Sequence, residues 1–174
     1  MAAIVIVCAT AFEFHFFEIG NAVFVAAHIM LIALAVRRFL RRQQDPPETF
    51  SLVGFGLISG MLGALIDAGI AWNIIAPSWD LLGKRLLTEG MVLLLVLGIG
   101  GFLGPRLLGF AALPKFVSVE PFARANGKIL FYKLAGLAVL LLLIAEYGFG
   151  FTAMAFLRAG IVTAVILSTV QPWR

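Results

Sequence analysis

The sequence predicts an all-α fold, a polytopic integral membrane bundle of about five transmembrane helices. Three observations carry that prediction. Of 174 residues, 62% are hydrophobic and 13% charged, whereas a soluble domain is about half apolar and about a quarter charged. The apolar residues gather into five runs of about the 20 residues that a helix needs to cross a bilayer. The basic residues lie in clusters between those runs; a nucleic-acid binder would instead carry them as a stripe on a polar surface. Residues 1–174 are therefore expected to form a single transmembrane domain in contact with lipid and not with nucleic acid.

The first run covers residues 19–36. Arg37-Arg38-Phe39-Leu40-Arg41-Arg42 closes it, and Asp45-Pro46-Pro47 is a turn that cannot remain helical. The second covers 50–72. Residues 73–80 hold Pro77 between Trp72 and Trp79, which reads as an interfacial loop with an aromatic anchor. The third run is 86–104, where Pro105 stops or kinks the helix. The fourth is 129–147 and the fifth 151–170, joined by the tight turn Gly148-Phe149-Gly150. Residues 1–17 are apolar but broken by Glu13 and His15, so they suit an interfacial segment or the stump of a further helix. No basic residue precedes the apolar start, which argues against a cleaved signal peptide. Cys8 is the only cysteine; it excludes an internal disulfide and any multi-cysteine metal cluster.

Orientation follows from the basic residues, which favour cytoplasmic loops. With five alternating spans, ten of the 13 fall on one side: Arg37, Arg38, Arg41, Arg42, Arg106, Lys115, Arg124, Lys128, Lys133 and Arg174. Lys84, Arg85 and Arg158 fall on the other. The loop at 37–42 is thus expected in the cytoplasm and residues 1–18 outside. This topology collects Glu13, Glu18, Asp67, Asp80, Glu89 and Glu146 in the outer half, where Arg85 and Arg158 also lie.

Several of these charges invite pairing. Arg85 and Glu89 are four apart and share a helix face. Arg158 begins about 10 Å into its helix at 1.5 Å per residue; an unpaired arginine there is costly, and Glu146 across the turn is its nearest carboxylate. The second run carries Gly56, Gly60, Ala64 and Ala68 as one small-residue stripe beside Ser59, Gly63 and Asp67, and the third carries Gly100 and Gly104 beside Gly98 and Gly101. Such stripes let two backbones approach. They serve packing within one bundle, or Gly56, Gly60 and Ala64 form a face for a homo-oligomer.

His28 lies near the middle of the first run, where histidine is rare and faces protein or a cavity. It suits a haem or copper ligand, a proton carrier or a hydrogen-bonded packing residue. His15 and Glu18 are one turn apart, a spacing that suits a metal-bound imidazole with a carboxylate behind it. On one straight helix His15 and His28 would point to nearly opposite faces. No nucleophile–base constellation and no phosphate-binding loop is visible, so nothing marks the chain as an enzyme.

One stretch goes beyond composition. Leu86-Leu87-Thr88-Glu89-Gly90-Met91, followed by Gly98-Ile99-Gly100-Gly101-Phe102-Leu103-Gly104-Pro105-Arg106-Leu107-Leu108-Gly109, resembles the NnrS-like membrane proteins. The likeness runs from about Arg37 to the end. It implies a role in the bacterial response to nitric oxide and an association with haem or copper. His15-Phe16-Phe17-Glu18 keeps the first His and the Glu of that family's His-x-His-Glu element, but Phe17 stands at the second His. The resemblance implies a site from His15, Glu18 and His28, with Arg85 and Glu89 near the outer boundary. Family members are longer, so the chain is expected to be a portion of one or a short relative. The alternative is a metal-free transport or scaffold module, with Asp67, Arg85, Glu89, Glu146 and Arg158 forming an ion path or structural pairs.

Overall fold

The computed structural model describes residues 17–41, 46–107, 127–150 and 152–170. In lipid every backbone N–H and C=O must find its partner within the protein, and a helix satisfies them locally. The described residues are accordingly helical. They form α1 (Phe17–Leu40) and α2 (Phe50–Ala71). A 3-10 turn (Pro77–Trp79) then leads through α3 (Asp80–Arg85) and a π-helical segment (Leu86–Val92) into α4 (Leu93–Leu107). Helices α5 (Gly127–Phe149) and α6 (Thr152–Val170) follow. Five stretches are long and apolar enough to cross a membrane: Glu18–Leu40, Phe50–Ala71, Pro77–Gly104, Gly127–Phe149 and Thr152–Thr169. No strand occurs among the described residues. The all-α, multi-pass architecture is as the composition predicts.

Helix α2 is the centre of the bundle. It touches α1, the whole length of the third span, and α5, while α6 packs on α5 and α4. Spans consecutive in sequence run antiparallel, so α2 and α5, and the third span and α6, lie parallel. At the end bearing the basic residues, Thr49 Oγ1 donates to the Gly98 carbonyl at 2.9 Å and the Tyr132 and Ser168 hydroxyls meet at 3.2 Å. At the opposite end, which carries Trp72 and Trp79, the Tyr147 hydroxyl donates to the Ser78 carbonyl and its ring lies 5.8 Å from that of Trp79.

The core is aliphatic, built on Leu52, Leu86, Leu94, Val139, Leu143 and Val165. The outside is apolar too: Ile29, Leu34 and Val36 on α1 and Phe156, Leu157 and Ile166 on α6 are exposed. With lipid as solvent, apolarity does not separate inside from outside, and close approach of small residues holds helices together. The stripe Gly56, Gly60, Ala64 and Ala68 is buried in this way. A Cβ at Gly56 would fall 3.2 Å from the Met91 carbonyl and 3.3 Å from Leu94 Cβ. The chain's own third span therefore covers the stripe.

Four local expectations need correction. The loop after α2 is shorter than 73–80, because Pro77 opens the third helix; proline suits a first helical position, where no N–H is needed. Helix α4 does not stop at Pro105 but runs on to Leu107. So close to the helix end, the proline removes only the bond to the Gly101 carbonyl. Gly148 and Phe149 remain helical; Gly150 follows them with φ 66° and its N–H closing on the Glu146 carbonyl at 2.9 Å. That is the left-handed cap glycine permits. Of the four glycines at 98, 100, 101 and 104, the ones in contact are Gly98, against Val53 and Thr49, and Gly101, against Thr169. Gly100 and Gly104 face open space.

Candidate functional site

The charges expected at the outer end meet. Arg85 Nη1 lies 2.8 Å from Glu146 Oε1, Arg158 Nη2 lies 2.7 Å from Glu89 Oε2, and Arg158 Nη1 lies 3.1 Å from Glu146 Oε2. The direct Arg85–Glu89 pair is longer, at 3.8 Å. The pairs close a ring of two arginines and two carboxylates with no net charge, drawn from α3, the π-helical segment, α5 and α6. The Arg158 and Glu146 side chains are only 13% and 15% exposed, against 31% and 41% for Arg85 and Glu89. The third contact is an ion pair without hydrogen-bond alignment, since Glu146 Oε2 and Arg158 Nη1 have no hydrogen-bond partner.

The π-helical segment explains the geometry. A π-turn bonds i to i+5 and so takes up an extra residue. Positions four apart then no longer stack as on an α-helix, and Arg85 and Glu89 each take a closer partner elsewhere. The irregular turn is supported from α2: Ser59 Oγ, fully buried, donates to the Leu86 carbonyl at 2.8 Å. Gly90 sits against that hydroxyl, where a Cβ would collide with Ser59 Oγ. Thr88 Oγ1 returns to the Lys84 carbonyl at 2.8 Å, a bond that tends to bend a helix.

The same segment carries Met91 towards α1 and α2. His28, the twelfth of the 24 residues of α1, is 6% exposed, and its Nε2 has no hydrogen-bond partner. Its ring lies 5.7 Å from that of Phe24. A Cβ built on Gly60 would fall 2.7 Å from His28 Nε2 and closer still to Met91 Sδ. The His28 imidazole nitrogen and the Met91 thioether sulfur therefore pack directly against Gly60, where a side chain could enter only by displacing them. Both are donors to soft metals. The orphaned nitrogen of His28 is the atom that a ligand would satisfy. Among the described residues, no group of three or more His, Cys, Asp or Glu is placed to hold a metal.

Helix α1 shows an inverted polarity. Two of its buried residues, Asn21 and His28, are polar and stand seven apart on one face, while its large aliphatic residues lie outside. Asn21 Nδ2 is also without a partner.

The other expected residues are not brought to these sites. His15 lies outside the described residues. Glu18 is in the first turn of α1. Ten residues separate it from His28 on one continuous helix, about 15 Å along the axis, so no single ion takes both. Asp67 packs with Oδ1 against Gly83, and that oxygen has no hydrogen-bond partner. Met91 and the π-helical segment carry the geometry without a signal in the sequence, and Ser59 is marked there only as one of a small-residue stripe. A methionine in an apolar run gives no sign of whether it faces lipid or a histidine.

The fold and these two constellations define a multi-pass helical membrane protein with a neutral charge ring at one end and a buried, unpartnered histidine at mid-span. No family model, curated protein or solved structure matches the chain.

Proposed function

We propose that the protein acts in the bacterial inner membrane in the response to nitric oxide, like the NnrS-like proteins it resembles, and binds a haem or copper cofactor through His28. The observation that carries this reading is the imidazole itself. A polar ring at the centre of a spanning helix, 6% exposed with an orphaned Nε2, has a desolvation cost that a ligand would relieve. When bound, haem or copper would supply the capacity to take a diatomic ligand or an electron. The chain's own part is to present His28, exclude water with Phe24 and the α2 stripe, and hold the charge ring toward the periplasm with the basic end of α1, from Arg37, in the cytoplasm.

The test is direct. Cells supplied with haem and copper express the chain, and the detergent-purified protein is examined by visible spectroscopy and metal analysis. The wild type is expected to retain a cofactor, and His28→Ala to lose it while remaining folded. Wild-type protein carrying neither haem nor copper would refute the assignment.

The charge ring favours a second reading, a metal-free transport or scaffold module. On that reading Glu89→Gln and Arg158→Leu abolish protection against nitric oxide, while His28→Ala leaves it unchanged.

A further inference from the structure

We infer that the charge ring is a binding site for a monocarboxylate, and that the Glu89 side chain holds the ligand's place when none is bound. The inference rests on the ring alone and is independent of any cofactor at His28.

The two carboxylates of the ring are not equivalent. Glu146 reaches both arginines, Arg85 at 2.8 Å and Arg158 at 3.1 Å, and its side chain is 15% exposed. Glu89 is 41% exposed; it lies 2.7 Å from Arg158 but 3.8 Å from Arg85. Glu146 is thus the fixed member, and Glu89 is the looser one, on the open side of the ring. Glu89 also stands on the π-helical segment, where regular α-helical bonding is already interrupted.

The arginines have donors to spare. A guanidinium carries five N–H donors in a fork that matches a carboxylate. Among the described residues, Arg85 donates one aligned hydrogen bond, to Glu146, and Arg158 one, to Glu89. Arg158 Nη1 is buried and has no hydrogen-bond partner. What the ring lacks is acceptor atoms, and an anion supplies them.

Charge and shape decide the class of anion. With Glu89 turned outward, two arginines and one carboxylate leave a single positive charge. One monovalent anion restores neutrality, whereas a divalent anion or a cation leaves a net charge in a weakly polar setting, which is costly. Glu89 presents a planar pair of oxygens, one toward each arginine. An incoming carboxylate repeats both contacts in the place that Glu89 vacates, so no cavity larger than a carboxylate is required. Glu89 leaves by rotation about its own side-chain bonds. The exchange replaces one ion pair with another. The same headgroup chemistry serves a free solute arriving from water and a fatty acid arriving from lipid.

The experiment follows the carboxyl resonance of carbon-13-labelled acetate in the presence of the detergent-purified full chain, at ionic strength held constant with sodium sulfate. Wild type is expected to broaden the resonance saturably, with one acetate per chain; binding in that background also shows the preference for a monovalent ion. Glu89→Gln keeps the side chain's size and removes the competing charge, and is expected to bind acetate about ten-fold more tightly. Arg85→Gln and Arg158→Leu are expected to lose binding. Octanoate that displaces acetate at about ten-fold lower concentration supports a fatty acid, since its chain adds apolar burial; equal competition supports a free solute. The wild-type measurement requires no variant to fold. Absence of saturable binding to wild type would overturn the inference. Binding seen only in Glu89→Gln would overturn it too, because Glu89 is then a permanent partner of the arginines. Equal affinity of wild type and Glu89→Gln would place the acetate elsewhere and have the same effect. None of these readouts involves haem or copper, so the cofactor assignment stands or falls separately.

Discussion

Arg158 shows at the residue scale how a charge is kept within a spanning helix. It stands in α6 with two carboxylates, Glu89 at 2.7 Å and Glu146 at 3.1 Å, and is 13% exposed. Each carboxylate has a second arginine in reach, so removing any one member leaves an uncompensated charge in a weakly polar setting. Breaking a buried pair costs about 3–5 kcal/mol. Arg158→Leu is therefore expected to lower the unfolding midpoint in detergent strongly, and Arg158→Leu with Glu89→Gln to recover part of the loss, because the ring is again closer to neutral. Equal destabilisation by the single and double variants would show that the charges do not interact. Part of this ring is legible in the sequence. Glu146 and Arg158 flank one tight turn, and the cost of a lone arginine asks for the nearer acid. The Glu89–Arg158 contact joins residues 69 apart and follows only from the packing of α6 along the third span. His28 was legible as a buried polar residue, whereas its neighbour Met91 was not, since a thioether looks the same in lipid and in a site.

At the scale of the element, the π-helical segment Leu86–Val92 organises both constellations, with Glu89 directed to the charge ring and Met91 to His28. Its supports are Ser59, whose hydroxyl holds the Leu86 carbonyl, and Gly90, which makes room for that hydroxyl. Ser59→Ala is expected to cost about 0.6–2 kcal/mol, the range for hydrogen bonds between membrane helices. Gly90→Ala forces a methyl onto the hydroxyl and is expected to cost about 1–3 kcal/mol, as overpacking does. Thermal unfolding in detergent measures both, and a neutral Gly90→Ala would contradict the close contact. Sequence patterning finds the span because its Leu and Val run is unbroken. It misses the π-turn, because that register depends on a carbonyl partner in α2 and not on a residue within the segment. The same limit explains Gly98 and Gly101. The four-residue rule selected Gly100 and Gly104, but which glycines face a neighbour is set by how the helix is rotated against α2 and α6.

Across the whole molecule, the feature the sequence states most plainly is that apolar residues are both core and surface, so span number and type are legible without any knowledge of packing. The polar residues carry the remaining information. Asn21 and His28 are among the buried residues of a helix whose outer face is apolar, and Arg85, Glu89, Glu146 and Arg158 converge at the end opposite the basic end of α1. Helix rotation and the rank of competing ion pairs are tertiary quantities, and one-dimensional spacing does not contain them. The account depends on five alternating crossings that place the tryptophan end and its charge ring on the periplasmic side. The most direct test is labelling of single cysteines by a membrane-impermeant maleimide in intact cells, in a Cys8→Ser background. Ile74→Cys, exposed in the loop after α2, is expected to react without permeabilisation, and Gln43→Cys, next in sequence to the Arg37–Arg42 cluster, only after it. Labelling of Gln43→Cys in intact cells with Ile74→Cys protected would contradict the orientation and, with it, the placement of the charge ring.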